Sequence, residues 1–112
     1  MATYANIYVD QGADYETVVA AVRDNGDPLD LTDLDITAQV RRTYQSETAY
    51  DFTVFKQDAF NGEIKLTLDS ATSATMPRGR YVYDVYAESS VSGIRFKILY
   101  GILEIIPMVT RP

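Results

Sequence analysis

The sequence predicts an all-β fold: an antiparallel β-sandwich of about seven to eight short strands, one domain over 1–112, with one short helical turn near 70–76. Three observations predict it. Apolar residues recur at every second position in successive runs, turn signals rich in Gly, Asn and Pro fall at intervals of roughly ten residues, and no long helical pattern interrupts them. A small barrel is the other way to close the same strands. At 112 residues and 12.5 kDa the chain forms one core, because a chain of this size buries roughly two-thirds of its unfolded surface around a single centre.

The elements follow in order. Ile7 and Val9 alternate with Tyr8. YETVVAAVRD then places Val18, Ala20 and Val22 on one face with Val19 and Ala21 on the other, a pattern that reads as a mostly buried strand. NGDP at 25–28 ends it, since Asn25-Gly26 tolerates positive φ and Pro28 fixes φ while removing a donor. DITAQVRRTY turns Ile36, Ala38 and Val40 one way and Thr37, Gln39 and Arg41 the other, a half-exposed strand. After the loop QSETA come YDFTVFKQD and EIKLTLD, joined through Asn61-Gly62, the clearest hairpin signal in the chain. SATSATM has no period-two pattern; Ser70 is the expected N-cap of one helical turn that stops before Pro77. GRYVYDVYAE follows, then the polar loop ESSVSG, the strand IRFKILYG and a last strand ILEII ending at Pro107. Neighbours this close, joined by Gly-containing turns, pair antiparallel. The ends MATYA and MVTRP lie outside the best strands and read as loosely held.

Composition excludes much chemistry. With neither cysteine nor histidine there is no disulfide framework, no thiolate zinc site and no Ser-His-Asp triad. The absence of cysteine suits a reducing cytoplasm. A formal charge of −6 argues against nucleic acid, whose nonspecific affinity comes from neutralising phosphates with Lys and Arg. The longest apolar run, ILYGILEIIPMV, is broken by Gly101, Glu104 and Pro107, so no membrane span is expected, and the first residues lack the basic and apolar regions of a secretory signal.

Four groups of residues could still carry function. Asp24, Asp27, Asp30, Asp33 and Asp35 crowd DNGDPLDLTDLD, and hard cations such as calcium prefer clustered oxygens. The spacing is not that of an EF-hand, and aspartate is favoured in turns because its side chain bonds nearby amides, so turn chemistry is the stronger reading and no metal is assigned. Paired carboxylates could hydrolyse a glycoside without histidine, but no tryptophan is present to stack a sugar and no long insertion walls a cleft; the chain reads as noncatalytic, with no cofactor. Arg41-Arg42 followed by Tyr44 could hold an acidic partner through bidentate bonds, or could simply solvate an exposed strand. In GRYVYDVYAE, Tyr81, Tyr83 and Val85 face one side and Val82, Asp84 and Tyr86 the other. Tyrosine packs a ring inward and leaves its hydroxyl to find a partner, so Tyr81 or Tyr83 is the candidate anchor of the preceding corner, as in immunoglobulin-like sandwiches. Asp84, if it points inward, needs Arg41 or Arg95; otherwise it is a solvated edge residue. Arg42, Tyr44 and Tyr86 are the candidate partner contacts.

The ordered segments GDPLDLTD, AQVRR, NGEIKLTLDSATSATMPRGRYVYDVYAES and SGIRFKILYGILEIIPMVTR resemble a family of small bacteriophage virion proteins. In that family a G-x-P-x-D-L-T-G turn, an A-x-(I/V)-R strand, a G-x-(I/V)-x-L-x-L segment, a G-x-Y-x-Y-D strand and a closing strand recur in this order. The resemblance runs from about residue 7 to 110, with Asp33 where the pattern has glycine. It implies an immunoglobulin-like sandwich in the head, neck, tail or fibre apparatus of a tailed phage, with Tyr81, Tyr83 and Asp84 as scaffold positions. The partners it implies are other virion proteins, including further copies of the same chain as a homo-oligomer, with neither nucleic acid nor membrane. Against this stands a receptor- or glycan-binding module using QSETA and ESSVSG with Tyr44, Tyr50 and Tyr86 nearby.

Overall fold

The structure, a computed structural model, describes residues 3–110. Nine strands and one helix run in the order β1 (Thr3–Tyr4), β2 (Ile7–Asp10), β3 (Tyr15–Ala20), β4 (Leu34–Arg41), β5 (Tyr50–Asp51), β6 (Thr53–Asp58), β7 (Glu63–Leu68), α1 (Ser70–Thr75), β8 (Gly79–Ser89) and β9 (Arg95–Ile106). They form two sheets. The larger has the order β1-β9-β8-β4-β5, with β2 also on β9; the smaller is β3-β7-β6. The inner faces supply one core, with Val9, Val40, Ile64, Leu66, Leu68, Val85, Leu103 and Ile105 almost fully enclosed.

Period two decides which side chains enter that core. In β7 Ile64, Leu66 and Leu68 are buried in alternation, and in β8 Tyr81, Tyr83, Val85 and Ala87 are buried while Val82, Asp84 and Tyr86 face outward. The β6–β7 hairpin forms at Asn61-Gly62, where Gly62 has φ 76° and a Cβ would meet Leu29 O at 2.8 Å.

Several expectations are corrected. The 15–20 strand is half exposed, with Val18 and Val22 outward and Val19 and Ala21 inward, because it lies at an edge of the smaller sheet with one face in solvent. The helix spans six residues with Asp69, not Ser70, as N-cap: its side chain accepts from Thr72 N–H, leaving Ser70 as the first helical residue. IRFKILYG and ILEII are one strand, β9, because Gly101 stays extended. YDFTVFKQD is divided at Phe52, where the chain leaves the larger sheet for the smaller. The pairing is not wholly antiparallel, since β1 and β2 run parallel to β9 (Thr3 opposite Leu99, Ile7 opposite Leu103). Thr3 and Tyr4 are therefore held in the sheet rather than loose; Met1, Ala2, Arg111 and Pro112 lie outside the described residues.

Candidate functional site

The outer face of the larger sheet is the most chemically distinctive surface. Its central strands are β8 and β9, paired from Gly79 opposite Ile105 to Glu88 opposite Arg95. Val85 is opposite Leu99 but Tyr86 is opposite Lys97, so Ile98 is an extra residue in β9. This bulge resets the alternation: Ile98 and Leu99 are both buried, and Lys97 and Tyr100, three apart in sequence, face outward together.

The result is a ladder of rings and cations. The Tyr4 ring meets Tyr100 edge to face at 5.2 Å; Lys97 Nζ is 5.3 Å from the Tyr100 ring and 5.7 Å from that of Tyr86; the Arg95 guanidinium lies 4.4 Å over Tyr86. Neither Arg95 nor Lys97 has a carboxylate within ion-pair distance among the described residues. Each charge rests against an aromatic face instead, which fixes the side chain while leaving its donors exposed.

Beside the ladder a hollow of about 260 Å³ is lined by Gln39, Arg41, Tyr44, Val82, Asp84, Tyr86 and Arg95. It gathers Arg41, Tyr44, Asp84, Tyr86 and Arg95. Asp84 points neither inward nor to an edge: it stands on the outer face of a central strand, opposite Gln39 on one side and Tyr100 on the other. No ion pair joins it to Arg41 or Arg95 among the described residues. Arg41 instead donates to the carbonyls of Ser46 and Glu47 and to Gln39 Oε1, which shapes the loop carrying Tyr44. Tyr44 is 72% exposed.

Tyr83 also borders this hollow, although its ring is buried on the inner face, whereas Tyr81 and Arg42 lie apart from it. The Tyr81 hydroxyl donates to Pro77 O at 2.6 Å, closing the corner between α1 and β8. Burial raises its pKa, with the Arg42 guanidinium, 4.8 Å over the ring, opposing. Tyr83 donates to Ala5 O at 2.6 Å and its phenol is pushed up to about 12, chiefly by burial. In the acidic segment the carboxylates serve the turn: Asp27 N–H donates to Asn25, and Asp30 accepts from Thr32, whose hydroxyl and N–H hold its pKa below the usual value. Among the described residues no three acidic side chains converge on one point.

Residues that the sequence left unmarked complete the face: Tyr4, Gln39, Lys97 and Tyr100. Gln39 was legible as an outward position of β4, whereas Lys97 and Tyr100 fall on opposite faces under strict alternation and Tyr4 lies in the MATYA end, outside the alternating runs.

This architecture is an immunoglobulin-like β-sandwich. The fold is similar to that of the N-terminal domain of ORF48 from phage TP901-1, with TM-score 0.55 and 17% identity over 92% of this chain and 84% of that one. It is also similar to a chain in the complex of ICOS with ICOS-L and an anti-ICOS-L VNAR domain, with TM-score 0.51 and 12% identity over 94% of this chain and 56% of that one. No family model and no curated protein matches the sequence. Among the described residues no helix is long and apolar enough to cross a membrane.

Proposed function

We propose that the protein is a noncatalytic structural component of a tailed-phage virion, made in the host cytoplasm, that assembles with other virion proteins through the outer face of the larger sheet. The observation that carries this reading is the Tyr4-Tyr100-Lys97-Tyr86-Arg95 ladder. Tyrosine and arginine are among the residues most enriched at protein interfaces, because they offer large contact area and keep a polar end. Here they stand on a rigid sheet, with side chains pre-positioned by mutual contact. The phage origin of a domain sharing the fold, and the motif resemblance over about residues 7–110, supply the setting. No cofactor, nucleic acid or membrane enters this role.

Antibodies to the protein, applied to gradient-purified particles with electron microscopy and peptide mass spectrometry, test it. Label at one defined place with a fixed copy number supports the role; absence of the protein from particles overturns it. The hollow favours one second reading, a glycan-binding module, since Tyr44 and Tyr86 could stack a sugar ring while Gln39, Asp84 and Arg95 bond its hydroxyls. Glycan arrays and host-cell binding distinguish the two.

A further inference from the structure

Carboxylates predominate at one end of the strands, where Arg23 and Arg95 are also found, and guanidiniums at the other, where Glu47 and Glu104 are also found. At the start of β4, Asp35 is opposite Glu88 of β8, and at the matching end of the smaller sheet Asp58 is opposite Glu63. Leu31 N–H donates to Ala59 O at 2.7 Å, tying the acidic 24–35 segment to the β6–β7 turn, and Ala21 N–H, just before that segment, donates to Gly62 O at 2.8 Å. This end therefore gathers Asp27, Asp30, Asp33, Asp35, Asp58, Glu63 and Glu88, with Pro28 and the 74% exposed Phe60 among them.

The other end of β4, roughly 25 Å away at about 3.3 Å per residue, is the reverse. Arg41 is opposite Val82, so Arg41 and Arg42 leave β4 where Arg78 and Arg80 flank Gly79 at the start of β8. Arg42 Nη1 donates to Arg78 O at 3.1 Å, its guanidinium covers the Tyr81 ring, and Gly79 at φ 122° leaves room that a Cβ would take, 2.8 Å from Nη2. Backbone carbonyls, a ring and a glycine thus position Arg41 and Arg42; Arg80 pairs with Glu104 at 3.8 Å, while no carboxylate pairs with Arg41, Arg42 or Arg78 among the described residues. Next to them a hollow of about 610 Å³ is walled by Arg42, Ser46, Thr48, Tyr50, Pro77 and Tyr81, with Glu47 as its one carboxylate among the described residues.

We propose that this arginine-tyrosine hollow receives the acidic 24–35 end of a second copy of the chain. The two surfaces match in kind: carboxylates around Pro28 and Phe60, with Arg23 beside them, on one, and the Arg42 fork beside aromatic walls, with Glu47 at its side, on the other. Because they stand at opposite ends of the same strand, one molecule cannot satisfy itself. A contact between unlike surfaces is heterologous and repeats into a ring or a filament. This contact is separate from the outer-face reading and does not depend on a virion.

Sedimentation velocity on the full chain at roughly 50 mM and 500 mM salt, where the Debye length differs about threefold, tests it. The expected result is concentration-dependent association at low salt, with a dissociation constant at least tenfold weaker at high salt. Arg42→Glu/Arg78→Glu and Asp27→Lys/Asp30→Lys are each expected to be monomeric alone and to associate with each other when mixed. Arg78→Glu alone, in an exposed side chain, covers the case in which losing Arg42 unfolds the corner, and should still weaken association at least threefold. A protein monomeric at every salt concentration, association indifferent to these reversals, or a mixture that stays monomeric overturns the proposal.

Discussion

The Tyr83 hydroxyl donates to the carbonyl of Ala5 at 2.6 Å, across 78 residues of chain. Ala5 occupies the gap between β1 and β2, and its N–H donates to Tyr100 O at 2.9 Å. Gly101, directly opposite Tyr83 on β9, is where the Ala5 carbonyl enters: a Cβ there would overlap Ala5 O and come within 3.2 Å of the Tyr83 ring. Tyr83 of β8, Gly101 of β9 and Ala5 of the β1–β2 link thus fix how the N-terminal segment joins the sheet.

Tyr83→Phe strands a buried carbonyl and should cost about 1–2 kcal/mol. Gly101→Ala should cost about 2–3 kcal/mol, because backbone rather than a flexible side chain fills the space. Urea denaturation measures both. Equal stability of Gly101→Ala and wild type would show that Ala5 does not hold this position.

Alkali should weaken the fold through Tyr83. Its folded pKa is raised to about 12 while the unfolded value is 10.0, so stability is at full value below pH 10, falls as the unfolded chain ionises and the buried phenol does not, and levels off above the folded pKa. Tyr83→Phe should flatten this decline in melts between about pH 10 and 12.

On the acid side Asp69 acts in the opposite sense. The Thr72 hydroxyl, and next its N–H, lower the Asp69 pKa from 3.8, so its stabilising share is present above 3.8 and lost as pH falls through the lower folded value. Asp69→Asn keeps an N-cap acceptor without a titrating charge. The variant should lose less stability than wild type as pH falls from 3.8 through the lowered folded value, with thermal melts as the measure.

The outer ladder should be dispensable for folding and needed for assembly. Arg95→Glu and Tyr100→Ser alter side chains on the solvent face of the larger sheet and should each change stability by less than about 1 kcal/mol. Incorporation of the variants into particles, measured by peptide mass spectrometry after complementation, should fall at least tenfold. Full incorporation of both would rule out this face as the contact.

Much of the architecture is local and therefore legible. Ile64, Leu66 and Leu68, or Tyr81, Tyr83 and Val85, carry a two-residue period that any half-buried strand must have, and Gly26 and Gly62 mark turns by their positive φ. Part of the candidate site was legible for the same reason: Gln39, Arg41, Asp84 and Tyr86 fall on outward positions of their strands.

Which strands meet, and in what register, was decided elsewhere. The residues alone carried the all-β class with one short helix, the inward faces of β4, β7 and β8, and the absence of cysteine and histidine chemistry, but not the strand count, which is nine rather than seven to eight. Only the tertiary structure placed β1 and β2 parallel to β9, inserted Ile98 as a bulge that turns Lys97 and Tyr100 the same way, and set Gly101 against Ala5. A side-chain period belongs to one strand and can be read from its residues, whereas a bulge or a parallel partner is a property of a pair of strands, fixed when the two sheets close over a common core.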